Sequence, residues 1–158
     1  MRPLAVFDID GVLADVSHRV HFLEQRRQDW GAFFRAAVDD DVLPEGAALV
    51  HEAAKDCEIA YLTGRPEVCR QDTHEWLQAQ GFPAGTLVMR ANRDHRPARE
   101  AKPPMLRQLV SGRVLAVVVD DDLEVCAAYE DAGWTVLRAL WASRSPALEV
   151  AQEVEGRT

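Results

Sequence analysis

Cysteine is scarce in this chain: Cys57, Cys69 and Cys126 are the three present among 158 residues. They are odd in number, far apart, and set in apolar surroundings without the short spacings of a zinc or disulfide framework. They read as reduced core thiols of a cytoplasmic protein. No apolar run approaches the ~20 residues that a membrane-spanning helix needs, so no membrane partner is expected. Met1-Arg2-Pro3 leads straight into an apolar segment, leaving no room for a signal peptide. Internal repeats, low-complexity tracts and linker-like stretches are missing too. Positive charge is in deficit: the net charge is −8, which argues against a surface that grips duplex nucleic acid non-specifically. The deficit is uneven. Between residues 88 and 113 stand Arg90, Arg93, Arg96, Arg99, Lys102, Arg107 and Arg113 against only Asp94 and Glu100, a window of +5 in a chain otherwise at −13. A charge run of this kind is ordinarily a solvated face, and it becomes an anion site only beside something that calls for one.

What is present is a chain of 47% apolar residues, long enough for one globular domain spanning residues 1–158. Its organising stretch is Leu4-Ala5-Val6-Phe7-Asp8-Ile9-Asp10-Gly11-Val12-Leu13-Ala14-Asp15. Four consecutive apolar residues predict a strand buried on both faces, as in the middle of a parallel sheet. Gly11 can take the positive φ that turns the chain sharply out of it. Asp8 and Asp10 then stand at a strand's carboxyl end, where open α/β sheets place their ligands. Two carboxylates so close repel, a cost that a cation or a proton-transfer role would account for.

Further along, residues 16–26 and 30–38 are spaced for two short helices, with Asp29 as an N-cap. Asp39-Asp40-Asp41 is read as a solvated loop, and a helix runs from about 44 to 55. Ile59-Ala60-Tyr61-Leu62 is a second strand ending in Thr63-Gly64-Arg65-Pro66. Pro66 suits the first turn of a helix that carries Val68, Cys69, Trp76 and Leu77 inward. A short strand at 86–89 precedes the basic segment, then a helix from about 103 to 110. Val114 to Val119 is the strongest strand and ends in Asp120-Asp121-Asp122. A helix to Ala132, a strand at 134–137 and a C-terminal helix from Ser145-Pro146, packed outside, complete the chain. Strands alternate with helices throughout, so the fold class is α/β with a parallel sheet.

In such a sheet the strand ends carrying Asp8 and Asp10, Thr63, and Asp120 and Asp121 share one edge. Carboxylates converging there without Cys or His imply a hard cation, Mg²⁺ first. With Lys102 and a hydroxyl added, the set suits a phosphoryl group whose charge is redistributing. Asp-x-Asp-Gly-Val-Leu at 8–13, Leu-Thr-Gly-Arg at 62–65, Lys102 and the Asp-Asp at 120–121 resemble the four motifs of the haloacid dehalogenase superfamily. The resemblance implies a Rossmann-like parallel sheet with helices on both faces. It also implies a phosphatase in which Asp8 is the nucleophile and Asp10 the acid and base. Thr63 and Lys102 would hold the transferred group. Mg²⁺ would lie on Asp8, the main-chain carbonyl of Asp10 and Asp121, with Asp120 behind or reaching it through water. An acid at position 10 favours phosphoryl transfer over dehalogenation, which has no leaving oxygen to protonate.

A narrower resemblance joins Met89-Arg90, Asp94-x-Arg96-Pro97, Lys102, Gly64-Arg65-Pro66-Glu67 and Arg19 to the phosphatase domain of polynucleotide kinase/3′-phosphatases. It implies that Arg19, Gly64, Arg65, Arg90, Asp94 and Arg96 contact the substrate or orient the site, Arg being suited to grip two phosphate oxygens. For Arg65 a strand cap, and for Arg19 and Arg96 a surface ion pair, are the plainer readings. The implied substrate is a phosphate ester, a nucleic-acid 3′ end or a nucleotide; a small metabolite and a non-catalytic phosphate-binding module are the alternatives. No Gly-x-x-x-x-Gly-Lys-Ser/Thr loop is present, so no kinase half is expected. Only residues 15–44 offer a small helical insert, and nothing is long enough for a large cap. Whether a homodimer covers the site is left open.

Overall fold

β1 owes its place to its own alternation: Ala5 and Phe7 face one side of the sheet, Leu4 and Val6 the other, and all four are buried. The computed structural model describes residues 1–158. In chain order its elements are β1 (Leu4–Phe7), β2 (Ala14–Asp15), α1 (His21–Glu24), α2 (Trp30–Arg35), β3 (Asp41–Val42), α3 (Pro44–Ala53) and β4 (Glu58–Pro66). Then follow α4 (Arg70–Ala79), β5 (Gly85–Arg90), α5 (Ala98–Leu109), β6 (Leu115–Asp120), α6 (Leu123–Asp131), β7 (Val136–Arg138) and α7 (Pro146–Glu153). Five strands form a parallel sheet in the order β5-β4-β1-β6-β7. The chain winds outward from β1 through β4 to β5, then returns to lay β6 on the other side of β1. The winding reverses between β1 and β6, and open α/β sheets bind ligands in the crevice outside such a reversal.

One face of the sheet packs Phe7, Ile59 and Tyr61 against Val50 of α3 and Trp76 and Leu77 of α4. The other packs Val6, Ala60, Leu62 and Val118 against Ala98 and Leu106 of α5 and Val125 and Tyr129 of α6. Between β1 and α3, β2 and β3 pair antiparallel (Ala14 with Val42, Asp15 with Asp41) and pinch the neck of a small helical excursion. Its Val16, Val20, Leu23 and Phe33 form a third cluster with Leu148 and Ala151 of α7. α7 lies outside the sheet as expected, but as a clamp on this excursion.

Several boundaries differ from the sequence reading. The helix expected over 16–26 is a 3₁₀ turn at Ser17–Arg19 and four residues of α1: no side chain caps either start, and Gln25 leaves in an extended conformation. Pro66 ends β4 and does not open α4; a 3₁₀ turn at Glu67–Cys69 intervenes, and Val68 faces solvent. α5 begins at Ala98, well before Pro103 and Pro104. Those prolines leave the carbonyls of Arg99 and Glu100 without helical partners, which is tolerable because both residues are exposed to water. Of the cysteines, Cys126 is buried while Cys57 and Cys69 are half-buried, all free thiols. No helix is long and apolar enough to cross a membrane.

Candidate active site

Asp8 is still held in the sheet by its N–H, which bonds the Val119 carbonyl of β6 at 2.9 Å, while its side chain stands at the sheet's edge. Its Oδ1 accepts from the Ile9 N–H at 2.8 Å, and Lys102 Nζ approaches its Oδ2 at 3.0 Å. Lys102 reaches in from α5 and also donates to Asp120 Oδ2 at 2.6 Å. Asp120 Oδ1 accepts the Asp122 N–H at 3.0 Å, so both Asp120 oxygens are engaged. Asp121 differs: Arg144 Nη1 lies 2.5 Å from its Oδ2, and its buried Oδ1 has no partner. Carboxylate oxygens of Asp8, Asp120 and Asp121 all lie within 4.8 Å of one another.

Three buried carboxylates against Lys102 and the half-buried Arg144 are electrostatically unbalanced. Burial, then the charge of Asp120, pushes the Asp8 carboxyl well above the usual range. The same two causes push Asp121 up to about 7, although Arg144 opposes them. Burial alone would lower Lys102, but Asp120 and Asp8 reverse the effect and hold it protonated. A hard divalent cation relieves this imbalance, and the donors present are all oxygen, the set that Mg²⁺ prefers. The orphaned Asp121 Oδ1 is the buried atom such an ion would satisfy.

Gly11 makes the cluster possible. Its φ is +79°, and a Cβ there would sit 2.1 Å from Asp121 Oδ2. Gly11→Ala combines left-handed strain with a clash against the Asp121 carboxylate. We expect it to cost about 1–3 kcal/mol of stability. Denaturant unfolding checks this; an alanine variant as stable as the parent would contradict the stated packing.

On the other side of Asp10 lies a second buried group. Arg65 donates from Nε and Nη2 to Asp10, the shortest contact being 2.6 Å to Oδ1, and Arg19 Nη2 reaches the same oxygen at 3.0 Å. Burial would raise the Asp10 carboxyl, but Arg65 and then Arg19 outweigh it and hold it at about 2. Both arginines are fully buried, so neither is a surface ion pair. Both also bond Asp40. The expectation that Asp39, Asp40 and Asp41 are solvated therefore fails at the middle residue: Asp40 points inward and is buried, while its neighbours are exposed.

Thr63 is buried at the end of β4, its Oγ1 accepting the Arg65 N–H at 3.1 Å. Gly64 is in close contact with the tail of the chain, since a Cβ there would lie 2.4 Å from the Thr158 carbonyl carbon. Arg90 is not brought to the acidic cluster. It is buried and donates to the carbonyls of Arg96 at 2.6 Å and Gly156 at 2.8 Å, tying the tail to the loop after β5. Asp94 and Arg96 pair with each other on that loop. The basic window is likewise no free strip: Arg99 pairs with Glu153 and Arg113 with Glu58, and Arg107 lies over Trp134. Sequence reasoning missed Asp40 and Arg144. Asp40 was hidden in an acidic triplet, and Arg144 follows the last strand without any motif.

A family model for the polynucleotide kinase PNKP phosphatase domain matches residues 3–140. No curated protein matches the chain. Among solved structures, one of the Pnkp1/Rnl/Hen1 RNA repair complex superposes with a TM-score of 0.73 at 18% identity, covering 90% of this chain and 44% of that one. The chain thus spans less than half the length of that relative. A haloacid dehalogenase-like hydrolase from Streptococcus pneumoniae gives a TM-score of 0.63 at 14% identity, covering 97% of this chain and 92% of that one. CbbY from Rhodobacter sphaeroides, in complex with phosphate, gives 0.58 at 17% identity, covering 92% and 90%. With the matched model extending over most of the sequence and the motif residues gathered at one sheet edge, the chain belongs to the polynucleotide kinase phosphatase-domain family of haloacid dehalogenase-type phosphatases.

Proposed function

We propose that the chain hydrolyses phosphate monoesters with Mg²⁺ through a phosphoryl group carried on Asp8, and that its substrate is a polynucleotide 3′-phosphate or a nucleotide. The observation that carries this reading is the meeting of Asp8, Asp120 and Asp121 around one point beside Lys102, with Asp10 held next to them. Asp8, the Asp10 main-chain carbonyl and Asp121 would hold Mg²⁺, and the bound ion would supply positive charge against the phosphoryl oxygens. Asp120, with both oxygens engaged, fits better as the group that holds Lys102 than as a direct ligand.

In the first half-reaction Asp8 Oδ attacks phosphorus, the P–O bond to the leaving group breaks, and Asp10 gives that oxygen a proton, which it must first take from solvent because the two arginines hold it ionised in the resting protein. In the second, Asp10 takes a proton from water as the water oxygen attacks phosphorus, and the acyl phosphate bond breaks to return the Asp8 carboxylate. Thr63 Oγ1 and the Gly64 N–H would donate to the phosphoryl oxygens, and Lys102 would offset their charge. Arg19 and Arg65 hold the Asp10 carboxylate and are buried with it. Arg90 fits an anchoring role, while Asp94 and Arg96 present a charged pair that a nucleic-acid backbone could open.

The family match and the exposed Arg93 support the nucleic-acid reading. We expect 3′-phosphorylated oligonucleotides to be hydrolysed with a higher kcat/KM than p-nitrophenyl phosphate, and binding to weaken as salt rises. A panel of 3′- and 5′-phosphorylated DNA and RNA, nucleotides and sugar phosphates measures this. Equal or lower kcat/KM on the oligonucleotides would overturn the substrate assignment and leave the small-metabolite reading.

A further inference from the structure

We infer that Asp40, from the neck of the helical excursion, is a positioning residue for the acid/base chemistry of Asp10, acting through the two buried arginines. The inference rests on the reading of Asp10 given above.

The four groups form a closed square of alternating charge. Arg19 Nη2 lies 3.0 Å from Asp10 Oδ1 and 2.9 Å from Asp40 Oδ2. Arg65 Nη2 lies 2.6 Å from Asp10 Oδ1 and 3.1 Å from Asp40 Oδ2. Arg19 Nε adds a second bond to Asp40, at 2.8 Å to Oδ1, making that pair bidentate. Water has little access to any member, so no solvent molecule can readily replace a lost bond. Asp40 is itself fixed: its N–H bonds the Ala37 carbonyl, its carbonyl accepts from Trp76 Nε1 at 2.9 Å, and His18 Nε2 lies 2.7 Å from Oδ1. Asp10, in contrast, is on the strand-exit turn and takes its side-chain bonds from these two arginines alone.

The direction of control follows. Asp40 sets the planes of both guanidiniums, and they set the Asp10 carboxylate. Without Asp40 the two forks would close on Asp10, displacing the oxygen that must meet the leaving group by a distance that matters for proton transfer. The neck of the excursion is thereby keyed to the acid at the sheet edge, because Arg65 comes from β4 and Asp40 from the far side of the excursion.

Leaving-group dependence separates this from a merely structural role. An alkyl phosphate needs its departing oxygen protonated, whereas p-nitrophenolate leaves without help. For Asp40→Asn, kcat/KM on an alkyl ester such as glycerol 2-phosphate is expected to fall ~10²-fold, and on p-nitrophenyl phosphate by less than about threefold, since general acid catalysis acts only on the former. Thermal melting confirms that the variant is folded. Because removing one partner of a buried charge network can prevent folding, Asp40→Glu provides a second arm. It keeps the charge but carries the carboxylate one methylene further, out of register with the two arginines, and it is expected to show the same selective loss. Equal losses on both esters, or none, in a folded variant would overturn the inference. A wild-type protein that turns over neither ester would instead overturn the proposed function.

Discussion

Asp8→Asn is expected to lower turnover by ~10³-fold or more while raising the melting temperature in metal-free buffer. The rate would fall because an amide cannot form the acyl phosphate on which both proposed half-reactions depend. The stability rises because the Asp8 charge is unfavourable where it stands: burial and Asp120 push its carboxyl upward despite Lys102. Asparagine keeps the volume and the oxygen that accepts from Ile9, and removes the repulsion. A function that costs stability in this way marks a residue retained for chemistry and not for packing. Phosphate release and thermal unfolding of the same preparation measure both effects. Retained turnover would remove Asp8 as nucleophile, and a large fall in melting temperature would contradict the electrostatics described.

The second large effect concerns the metal and pH. Asp121 rises from 3.8 to about 7, and Asp8 is raised in the same direction. Between about pH 4 and 7 the folded metal-free chain therefore holds more protons than the unfolded one, so stability falls as pH rises through that interval. Asp10 runs the other way. Held at about 2, it contributes stability above 3.8 that is lost as pH falls toward 2. On the proposed reading Mg²⁺ would bind the ionised cluster, so its stabilisation should be small at pH 5 and large near pH 8, reaching ~2.7 kcal/mol at a hundredfold excess over its Kd. Chelation should abolish turnover and return the pH 8 melting temperature to the metal-free value. Unfolding titrations across this range, with and without Mg²⁺, check the sign. A metal effect equal at both pH values would mean that the ion does not bind these carboxylates.

Much of this site was legible because strand ends in a parallel sheet share one edge. The apolar runs before Asp8, Thr63 and Asp120 located three of the five strands, and Asp8, Asp120 and Asp121 came together as that topology requires. Lys102 was found by resemblance, not by periodicity, and its helix starts earlier than the prolines suggested. Asp40 was not legible: three acids in a row carry no alternation to say which turns inward, and the answer depends on Trp76 and two arginines distant in the chain. Arg90 shows the converse. The resemblance implies that it contacts the substrate or orients the site, and the tail at Gly156 and Thr158 folds over it and takes its hydrogen bonds. Local pattern shows where a side chain can point, but the competition for it is settled by segments that arrive from elsewhere.

Acid-quenched single turnover, followed by peptide mass analysis, tests the central claim most directly. The peptide containing Asp8 should carry the added mass of one phosphoryl group, localised to Asp8, sensitive to hydroxylamine, and missing from Asp8→Asn. Turnover by an enzyme that never accumulates this adduct, even when the second half-reaction is slowed by an Asp10 substitution, would contradict it.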